Sequence, residues 1–206
     1  LAFVCEDGSM FGEEYTLVSV ADYVLKHTPG NTVSNLSSTI SLREVTNKYE
    51  GSKYEAAAVG EVNVVNKMKA TNAVIGGEGN GGIIYPASHY GRDALVGTAL
   101  FLTHLAKSQM KVSELRSTYP DYFISKNKIQ LEEGMDVDGI LSNVAREFSD
   151  REVDTTDGVK IYFGSEWVHL RKSNTEPIIR IYSESASEEK ANDLAKTIME
   201  RIKAQT

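Results

Sequence analysis

The stretch 159–182, VKIYFGSEWVHLRKSNTEPIIRIY, contains three short apolar runs that are separated by turn residues. Short strands in close succession are typical of an antiparallel sheet, and amphipathic helices are predicted on either side of them. The predicted strands are Val159–Phe163, Trp167–Leu170 and Ile178–Tyr182, and the predicted helices are Val137–Phe148 and Ser187–Lys203. This arrangement predicts a smaller α+β domain with an antiparallel sheet at residues 130–206.

Residues 10–129 show a different pattern, in which short apolar runs alternate with amphipathic stretches. This alternation predicts an α/β domain with a mixed sheet that is covered by helices. The main predicted helices are Glu13–His27 and Asp93–Lys107, and the predicted strands are Thr32–Leu36, Tyr54–Val59 and Ala73–Ile75. Leu1–Cys5 is predicted as a further strand, and Tyr122–Leu131 as an extended connector.

The composition excludes several classes of protein. The 206 residues include 22 Lys and Arg against 29 Asp and Glu, which gives a formal net charge of −7. An acidic chain without a basic block is not expected to bind nucleic acid or an anionic membrane. The single cysteine, Cys5, excludes an internal disulfide. No apolar run reaches the length of a membrane span and no signal peptide is recognisable, so we expect a cytoplasmic protein.

The segment Arg171–Pro177, RKSNTEP, is the first candidate for a binding site. It supplies a guanidinium group, two hydroxyl groups and consecutive backbone N–H groups, which are the donors that a phosphate dianion requires. Arg180 follows on the next predicted strand and offers a second guanidinium fork. The candidate phosphate ligands are therefore Arg171, Ser173, Asn174, Thr175 and Arg180. The alternative is a polar hairpin turn with surface arginines, because Ser, Asn and Thr are ordinary turn residues.

The second candidate is the glycine-rich segment Gly76–Gly82, GGEGNGG. It formally contains G-x-G-x-x-G, but Ile83-Ile84-Tyr85-Pro86 follows where the helix of a dinucleotide-binding loop would have to begin. The segment also lacks the Gly-Lys-Ser/Thr ending of a P-loop. What remains is a flexible backbone that carries Glu78 and Asn80, whose carboxylate and amide suit a sugar diol. The alternative is a tight glycine turn that binds nothing.

The segment 89–93, HYGRD, places His89 and Arg92 just before a predicted helix. These two residues are the candidates for assisting catalysis, whereas Asp93 is expected to cap the helix. Ser37–Thr39 also precedes a helix and is interpreted as a cap cluster. The sequence contains no nucleophile elbow, no H-E-x-x-H motif and no cluster of residues at metal-ligand spacing. It therefore offers two places for a sugar phosphate and no obvious nucleophile to transform one.

Together these segments resemble the α-D-phosphohexomutase family, which includes phosphoglucomutase, phosphomannomutase and phosphoglucosamine mutase. Arg171–Pro177 with Arg180 is similar to the phosphate-binding loop of the family's fourth domain, usually Arg-x-Ser-Gly-Thr-Glu-Pro. Gly77–Gly81 is similar to the sugar-binding loop of the third domain, and Val59–Glu61 and Tyr90–Ala94 resemble two other segments of that domain. The resemblance covers essentially the whole chain. It implies that the α+β domain is TATA-box-binding-protein-like.

The resemblance implies an intramolecular phosphotransferase of the isomerase class that interconverts hexose 1-phosphate and hexose 6-phosphate. Family members carry a phosphoserine in domain 1 and an Asp-rich magnesium loop in domain 2, and Leu1–Val4 resembles the strand after that loop. Residues 1–9 are then the tail of domain 2, residues 10–129 domain 3 and residues 130–206 domain 4. The expected cofactors of the intact enzyme are Mg²⁺, with ligands outside this chain, and a hexose bisphosphate intermediate. Without domains 1 and 2 the chain is expected to be inactive.

Departures from the family pattern bear on the sugar. Asn80 stands where Ser is common, Gly82 stands where enzymes of glucose and mannose often have His, and Glu61 stands where some relatives have His. These differences favour phosphoglucosamine mutase or a related group and leave the hexose open. One alternative is a free-standing sugar-phosphate binding or regulatory module, which a reading frame that begins near Leu1 would favour. Another is an interaction domain whose polar loops bind no sugar phosphate.

Overall fold

The computed structural model describes residues 1–131, 135–173 and 176–203 of the chain. The chain divides into two compact units, Leu1–Pro120 and Asp121–Thr206. The division lies about ten residues before the boundary near residue 130 that the sequence predicts. The second unit therefore includes the predicted connector.

The first unit contains the mixed α/β sheet that the sequence predicts. Its elements are α1 (Glu13–His27), β1 (Thr32–Asn35), α2 (Ser41–Thr46), β2 (Tyr54–Ala57), α3 (Glu61–Thr71), β3 (Ile75–Glu78), β4 (Gly82–Ile84), α4 (Ala94–Ser108) and α5 (Val112–Ser117). The strand order is β2-β1-β3-β4. β1 runs parallel to β2 and β3, and β4 runs antiparallel to β3. The carboxyl ends of β1, β2 and β3 therefore lie at one edge of the sheet, where α/β folds commonly bind ligands.

The core of the first unit forms around α1, which has the predicted bounds. Leu17, Val20 and Val24 recur at helical spacing and are buried. The helix contacts α2, α4 and β3, so polar residues outside its apolar stripe, such as Thr16 and Ser19, are buried as well. Each large apolar side chain that is fully buried contributes roughly 1.5–3 kcal/mol to stability.

The predicted strand Leu1–Cys5 is wrong, because the structure reduces it to a single antiparallel bridge between Val4 and Met10. The chain reverses at once: the Asp7 carboxylate accepts the Ser9 N–H at 2.9 Å, and Gly8 has a φ of 86°. Side chains hold the segment in place. The Phe3 ring stacks on Phe101 with the ring centroids 3.7 Å apart, and Cys5 is buried.

The second unit has the predicted α+β arrangement. Its elements are β5 (Phe123–Gln130), α6 (Val137–Glu147), β6 (Glu152–Asp154), β7 (Val159–Phe163), β8 (Glu166–Lys172), β9 (Ile178–Ser185) and α7 (Glu188–Lys203). The strands form one antiparallel sheet in the order β5-β9-β8-β7-β6. Apolar side chains of α6 and α7 pack on one face of this sheet, in a core that includes Val144, Val168, Ile179 and Ile198.

The predicted connector forms β5, which pairs with β9 along its whole length. Ile129 packs against the helix-covered core, whereas Lys126 and Lys128 are exposed. Such alternation of apolar and polar residues is the pattern of a sheet with one solvated face. The predicted connector is therefore an edge strand, and its alternating apolar and polar residues are those of such a strand.

Asp22 on α1 joins two tyrosines in the first unit. Its carboxylate accepts the Tyr49 hydroxyl at 2.6 Å and the buried Tyr119 hydroxyl at 3.0 Å. Burial, followed by the Asp22 charge, raises the pKa of Tyr119, so this phenol stays a donor.

We expect Asp22→Ala to lower the free energy of unfolding of the first unit by about 2 kcal/mol, because a buried hydroxyl loses its acceptor. Urea unfolding followed by circular dichroism measures this loss. Glu50→Ala removes the same charge at an exposed position of the same unit and serves as the control. Equal stabilities of the two variants would contradict the prediction.

Candidate functional site

The glycine-rich segment forms a β-hairpin whose residues close-pack, which corrects the expectation of a flexible backbone. β3 ends at Glu78, β4 begins at Gly82, and these two residues are paired in the register. A Cβ atom at Gly77 would lie 1.9 Å from the Gly82 carbonyl oxygen. At Gly81, where φ is 78°, a Cβ atom would lie 1.9 Å from the Leu1 carbonyl oxygen. The glycines are therefore required by backbone packing and by the turn.

Glu78 lies at the carboxyl end of β3 and is only 7% exposed. Its Oε1 accepts the Asn35 side-chain N–H at 3.0 Å, and its Oε2 lies 3.7 Å from a terminal guanidinium nitrogen of Arg92. A carboxylate can accept about four hydrogen bonds, so these two contacts leave acceptor capacity for hydroxyl groups. The predicted sugar-binding carboxylate is therefore positioned by its surroundings.

Asn80 occupies the exposed tip of the hairpin. Its Oδ1 accepts the Gly82 N–H at 3.1 Å and so stabilises the turn. Among the described residues, its Nδ2 amide group makes no hydrogen bond. The Asn80 side-chain oxygen thus stabilises the turn, as expected for the alternative of a tight glycine turn. Its amide group presents two N–H donors at the tip.

Three side chains that the sequence analysis did not assign to the site support the hairpin. Asn35 ends β1 and accepts the Ser38 hydroxyl at 3.0 Å, and the Ser38 hydroxyl accepts the Gly79 N–H at 2.9 Å. Of the predicted cap cluster Ser37–Thr39, Ser38 links two strand ends instead of capping a helix, whereas the Thr39 hydroxyl accepts the N–H of Ser41 at the start of α2 at 3.2 Å. The Glu14 carboxylate accepts the Thr39 N–H at 2.9 Å and packs against Gly79. The position of Asn35 at the end of a buried strand was the one signal that pointed to this edge.

Arg92 is held by Glu61, the first residue of α3. The Glu61 carboxylate accepts the Arg92 backbone N–H at 3.1 Å and its Nε–H at 2.8 Å. The backbone hydrogen bond, followed by the side-chain one, lowers the pKa of Glu61. The residue that departs from the family pattern therefore fixes Arg92 near Glu78. Arg92 also lines a cleft of about 420 Å³, together with Leu1, residues 80–83 and residues 93–94.

His89 and Asp93 form a pair at the start of α4. Asp93 accepts the Leu95 and Val96 N–H groups at 2.9 and 3.0 Å, which confirms the expected helix cap. The His89 Nε2 atom lies 3.0 Å from the other Asp93 oxygen. The Val96 N–H, followed by the His89 contact, lowers the pKa of Asp93. His89 does not line the cleft that Arg92 lines, so the structure does not bring the two catalytic candidates together in it.

The phosphate-loop candidates lie where β8 ends and β9 begins. Arg171 and Arg180 are directly paired across these two strands. The Ser173 N–H donates to the Ile178 carbonyl at 3.0 Å and closes the base of the loop. Asn174 and Thr175 lie outside the described residues.

Two carboxylates that the sequence analysis did not single out accompany the arginines. Glu176 accepts an N–H of Arg180 at 3.0 Å, and Asp157 lies 3.8 Å from the Arg171 Nε. These contacts hold the guanidinium groups at the loop and leave most of their N–H donors for an anion.

His169 lies beside the arginine pair and is buried. Its Nε2 atom is 2.7 Å from the Asp157 carbonyl oxygen. Burial, which outweighs that hydrogen bond, lowers the pKa of His169 to about 4. A histidine in an unfolded chain has a pKa near 6.5. The unfolded state therefore binds the proton first on acidification, so this residue lowers stability as the pH falls from about 6.5 to about 4.

Between pH 7 and pH 5, we expect the free energy of unfolding of the second unit to fall by about 2 kcal/mol more in the wild type than in the His169→Gln variant. Trp167, the single tryptophan and buried in this unit, reports its unfolding in urea by fluorescence. His27→Gln, an exposed histidine of α1, is the control and should keep the wild-type loss. Parallel pH profiles for wild type and His169→Gln would contradict the assignment.

Two domain models of one protein family match this chain. Residues 12–122 match the model of the phosphoglucomutase/phosphomannomutase α/β/α domain III, and residues 127–201 match that of the C-terminal domain. The chain belongs to the phosphoglucomutase/phosphomannomutase family.

Curated members of the phosphoglucomutase/phosphomannomutase family are similar along most of this chain. A phosphoglucomutase/phosphomannomutase of Thermococcus kodakarensis is 39% identical over 193 residues, which are 93% of this chain and 42% of the relative. A phosphoglucosamine/phosphogalactosamine mutase of Sulfurisphaera tokodaii is 37% identical over 79% of this chain and 36% of the relative. The chain thus spans less than half the length of these relatives.

Solved structures of the family share the fold. A family protein of Burkholderia thailandensis matches with a TM-score of 0.81 at 23% identity, over 98% of this chain and 44% of that one. The N-acetylphosphoglucosamine mutase of Aspergillus fumigatus, solved with GlcNAc-6P and magnesium, matches with a TM-score of 0.66 at 15% identity, over 96% of this chain and 48% of that one. At these identities the likeness establishes the fold.

No group of three or more His, Cys, Asp or Glu side chains within 1–131, 135–173 and 176–203 is arranged to hold a metal ion. The family resemblance implies that the magnesium ligands of the intact enzyme lie outside this chain.

No helix in the described part of the chain combines the length and the apolar character that a membrane span needs.

Proposed function

We propose that this chain forms the sugar-binding and phosphate-binding portion of a phosphohexomutase that interconverts hexose 1-phosphate and hexose 6-phosphate. The observation that carries the proposal is the pairing of Arg171 with Arg180 beside the loop that resembles the family's phosphate-binding loop. Directly opposed arginines repel each other unless anions lie between or beside them. Two guanidinium forks at one register suit a phosphate monoester, which offers three oxygens and close to two negative charges.

The proposed reaction moves a phosphoryl group between the two ends of the sugar. A phosphoserine outside this chain gives its phosphoryl group to the free hydroxyl of a hexose monophosphate, so that one P–O bond breaks and another forms. The resulting bisphosphate reorients and returns its other phosphate to the serine. The chain's own share is binding: the arginines hold the phosphate that is not transferred, and Glu78 accepts hydrogen bonds from the sugar hydroxyls.

The carboxylates around the hairpin favour an amino sugar over a neutral one. Glu14, Glu61 and Glu78 lie at or beside it, and Arg92 is the cation that contacts two of them. An ammonium group gains from nearby carboxylates, whereas a hydroxyl group gains less. We therefore propose glucosamine phosphate as the preferred substrate, with glucose and mannose phosphates as weaker ones. The Sulfurisphaera tokodaii relative is named for amino-sugar phosphates, whereas the Thermococcus kodakarensis relative is named for glucose and mannose phosphates.

A chimera tests the proposed function. The part of the Thermococcus kodakarensis relative that its alignment with this chain leaves uncovered is fused to the 206-residue chain. The chimera is expected to convert glucosamine 1-phosphate and glucose 1-phosphate to the 6-phosphates, and the 206-residue chain by itself is expected to convert neither. A chimera that melts cooperatively but lacks mutase activity would contradict the proposal. Turnover by the chain alone would contradict its dependence on the uncovered part.

A further inference from the structure

Three cations form a row across the sheet of the second unit. Lys128 on β5 is paired with Arg180 on β9, and Arg180 is paired with Arg171 on β8. The neighbouring residues Ile129, Ile179 and Leu170 pack in the helix-covered core. Because side chains alternate between the faces of a sheet, the three cations project from the opposite face, one register pair before the Lys172–Ile179 pair at the end of β8.

The row contains more positive than negative charge. Arg180 is paired with Glu176, and Arg171 lies near Asp157. Lys128 is exposed and forms no ion pair within the described parts of the chain. Like charges on directly opposite residues destabilise a sheet, so a lysine beside Arg180 has an electrostatic cost when no anion is present. An anion bound at Arg180 removes that cost.

We propose that Lys128 is a third cation of the phosphate site and binds the outward-facing oxygens of the phosphate monoester held by Arg171 and Arg180. This inference rests on the proposed function. Opposite side chains on neighbouring strands start roughly 5 Å apart, and the flexible four-carbon stem of lysine lets its ammonium group reach an anion on the adjacent arginine. Since the arginines are partly neutralised by carboxylates, Lys128 supplies charge that favours a dianion over a monoanion or a neutral sugar.

Binding of inorganic phosphate and of glucose 6-phosphate to the 206-residue chain tests this assignment. The variants are Lys128→Gln, Arg180→Ala and, as the matched control, Lys126→Gln, which removes the same charge on the same face but two register pairs farther from the loop. We expect Lys128→Gln to raise the dissociation constants of both ligands by about threefold to tenfold. Lys126→Gln should leave them near the wild-type values. Lys128→Arg is expected to restore binding.

Thermal melting separates binding from folding. In phosphate-free buffer Lys128→Gln should melt at or above the wild-type temperature, because the change removes a repulsion. Equal phosphate affinities for Lys128→Gln and Lys126→Gln, with Arg180→Ala impaired, would overturn the role of Lys128 and leave the proposed function standing. Wild-type chain that binds neither phosphate nor glucose 6-phosphate would overturn both.

Discussion

Arg180→Ala is expected to weaken binding of hexose 1-phosphate and hexose 6-phosphate alike, by about thirtyfold. Loss of charge-assisted hydrogen bonds to the phosphate costs about 2 kcal/mol, and Glu176 is left next to the anion without its partner. Binding of both monophosphates is weakened because one distal site accepts the phosphate from either end of the sugar. Michaelis constants of the chimera and dissociation constants of the 206-residue chain measure the effect.

The control for Arg180 is another ion-paired arginine of the same unit. Arg201 on α7 pairs with Glu147 on α6, away from the loop between β8 and β9. Arg201→Ala is expected to leave both Michaelis constants near the wild-type values. Arg180→Ala with unchanged constants for the two substrates would contradict the assignment of this residue, and a loss confined to one substrate would contradict the single distal site.

Glu78→Gln is expected to lower kcat/KM of the chimera by about a hundredfold. Glutamine keeps the shape of the side chain, but its amide group can satisfy only one of the two donors that Asn35 and Arg92 present. The sugar then loses about two charge-assisted hydrogen bonds of about 1.5 kcal/mol each.

Inorganic phosphate distinguishes a local effect of Glu78→Gln from a general one. Its affinity for the 206-residue chain should not change, because Glu78 belongs to the sugar-binding hairpin of the first unit. Glu55→Gln changes a half-buried carboxylate on β2 that pairs with Lys67; it is the matched control and should keep full activity. A Glu78→Gln chimera with wild-type kcat/KM would show that the buried carboxylate does not bind the sugar.

The sequence predicts elements well where periodicity and local stops agree. Helix α1 is bounded by Gly12 and by the His27–Gly30 segment, and its apolar spacing is unambiguous, so its bounds are the predicted ones. Edge strands are harder, because half of their residues face water. β5 looked like a linker for this reason, and Leu1–Cys5 looked like a strand although an immediate turn closes it.

The residue types of the candidate site could be predicted from the sequence. The side chains that hold these residues in place could not. Glu78 and Arg180 stand out because a carboxylate in a glycine run and an arginine after a polar turn suit a sugar and a phosphate. Asn35 did not stand out, Ser38 was interpreted as part of a cap cluster, and Glu61 was noted only as a departure from the family pattern. Each reaches the site through contacts between distant parts of the chain. Only the parallel alignment of β1, β2 and β3 brings their carboxyl ends together.

Titration of the ¹⁵N-labelled 206-residue chain with glucose 6-phosphate tests the central claim most directly. The account predicts chemical-shift changes at two places, the amides of Gly79–Gly82 in the hairpin and those of Ser173 and Ile178–Arg180 at the phosphate loop. Inorganic phosphate should move the second group and leave the first unchanged. Saturating glucose 6-phosphate that moves neither group, or that moves only amides elsewhere in the chain, would contradict the account.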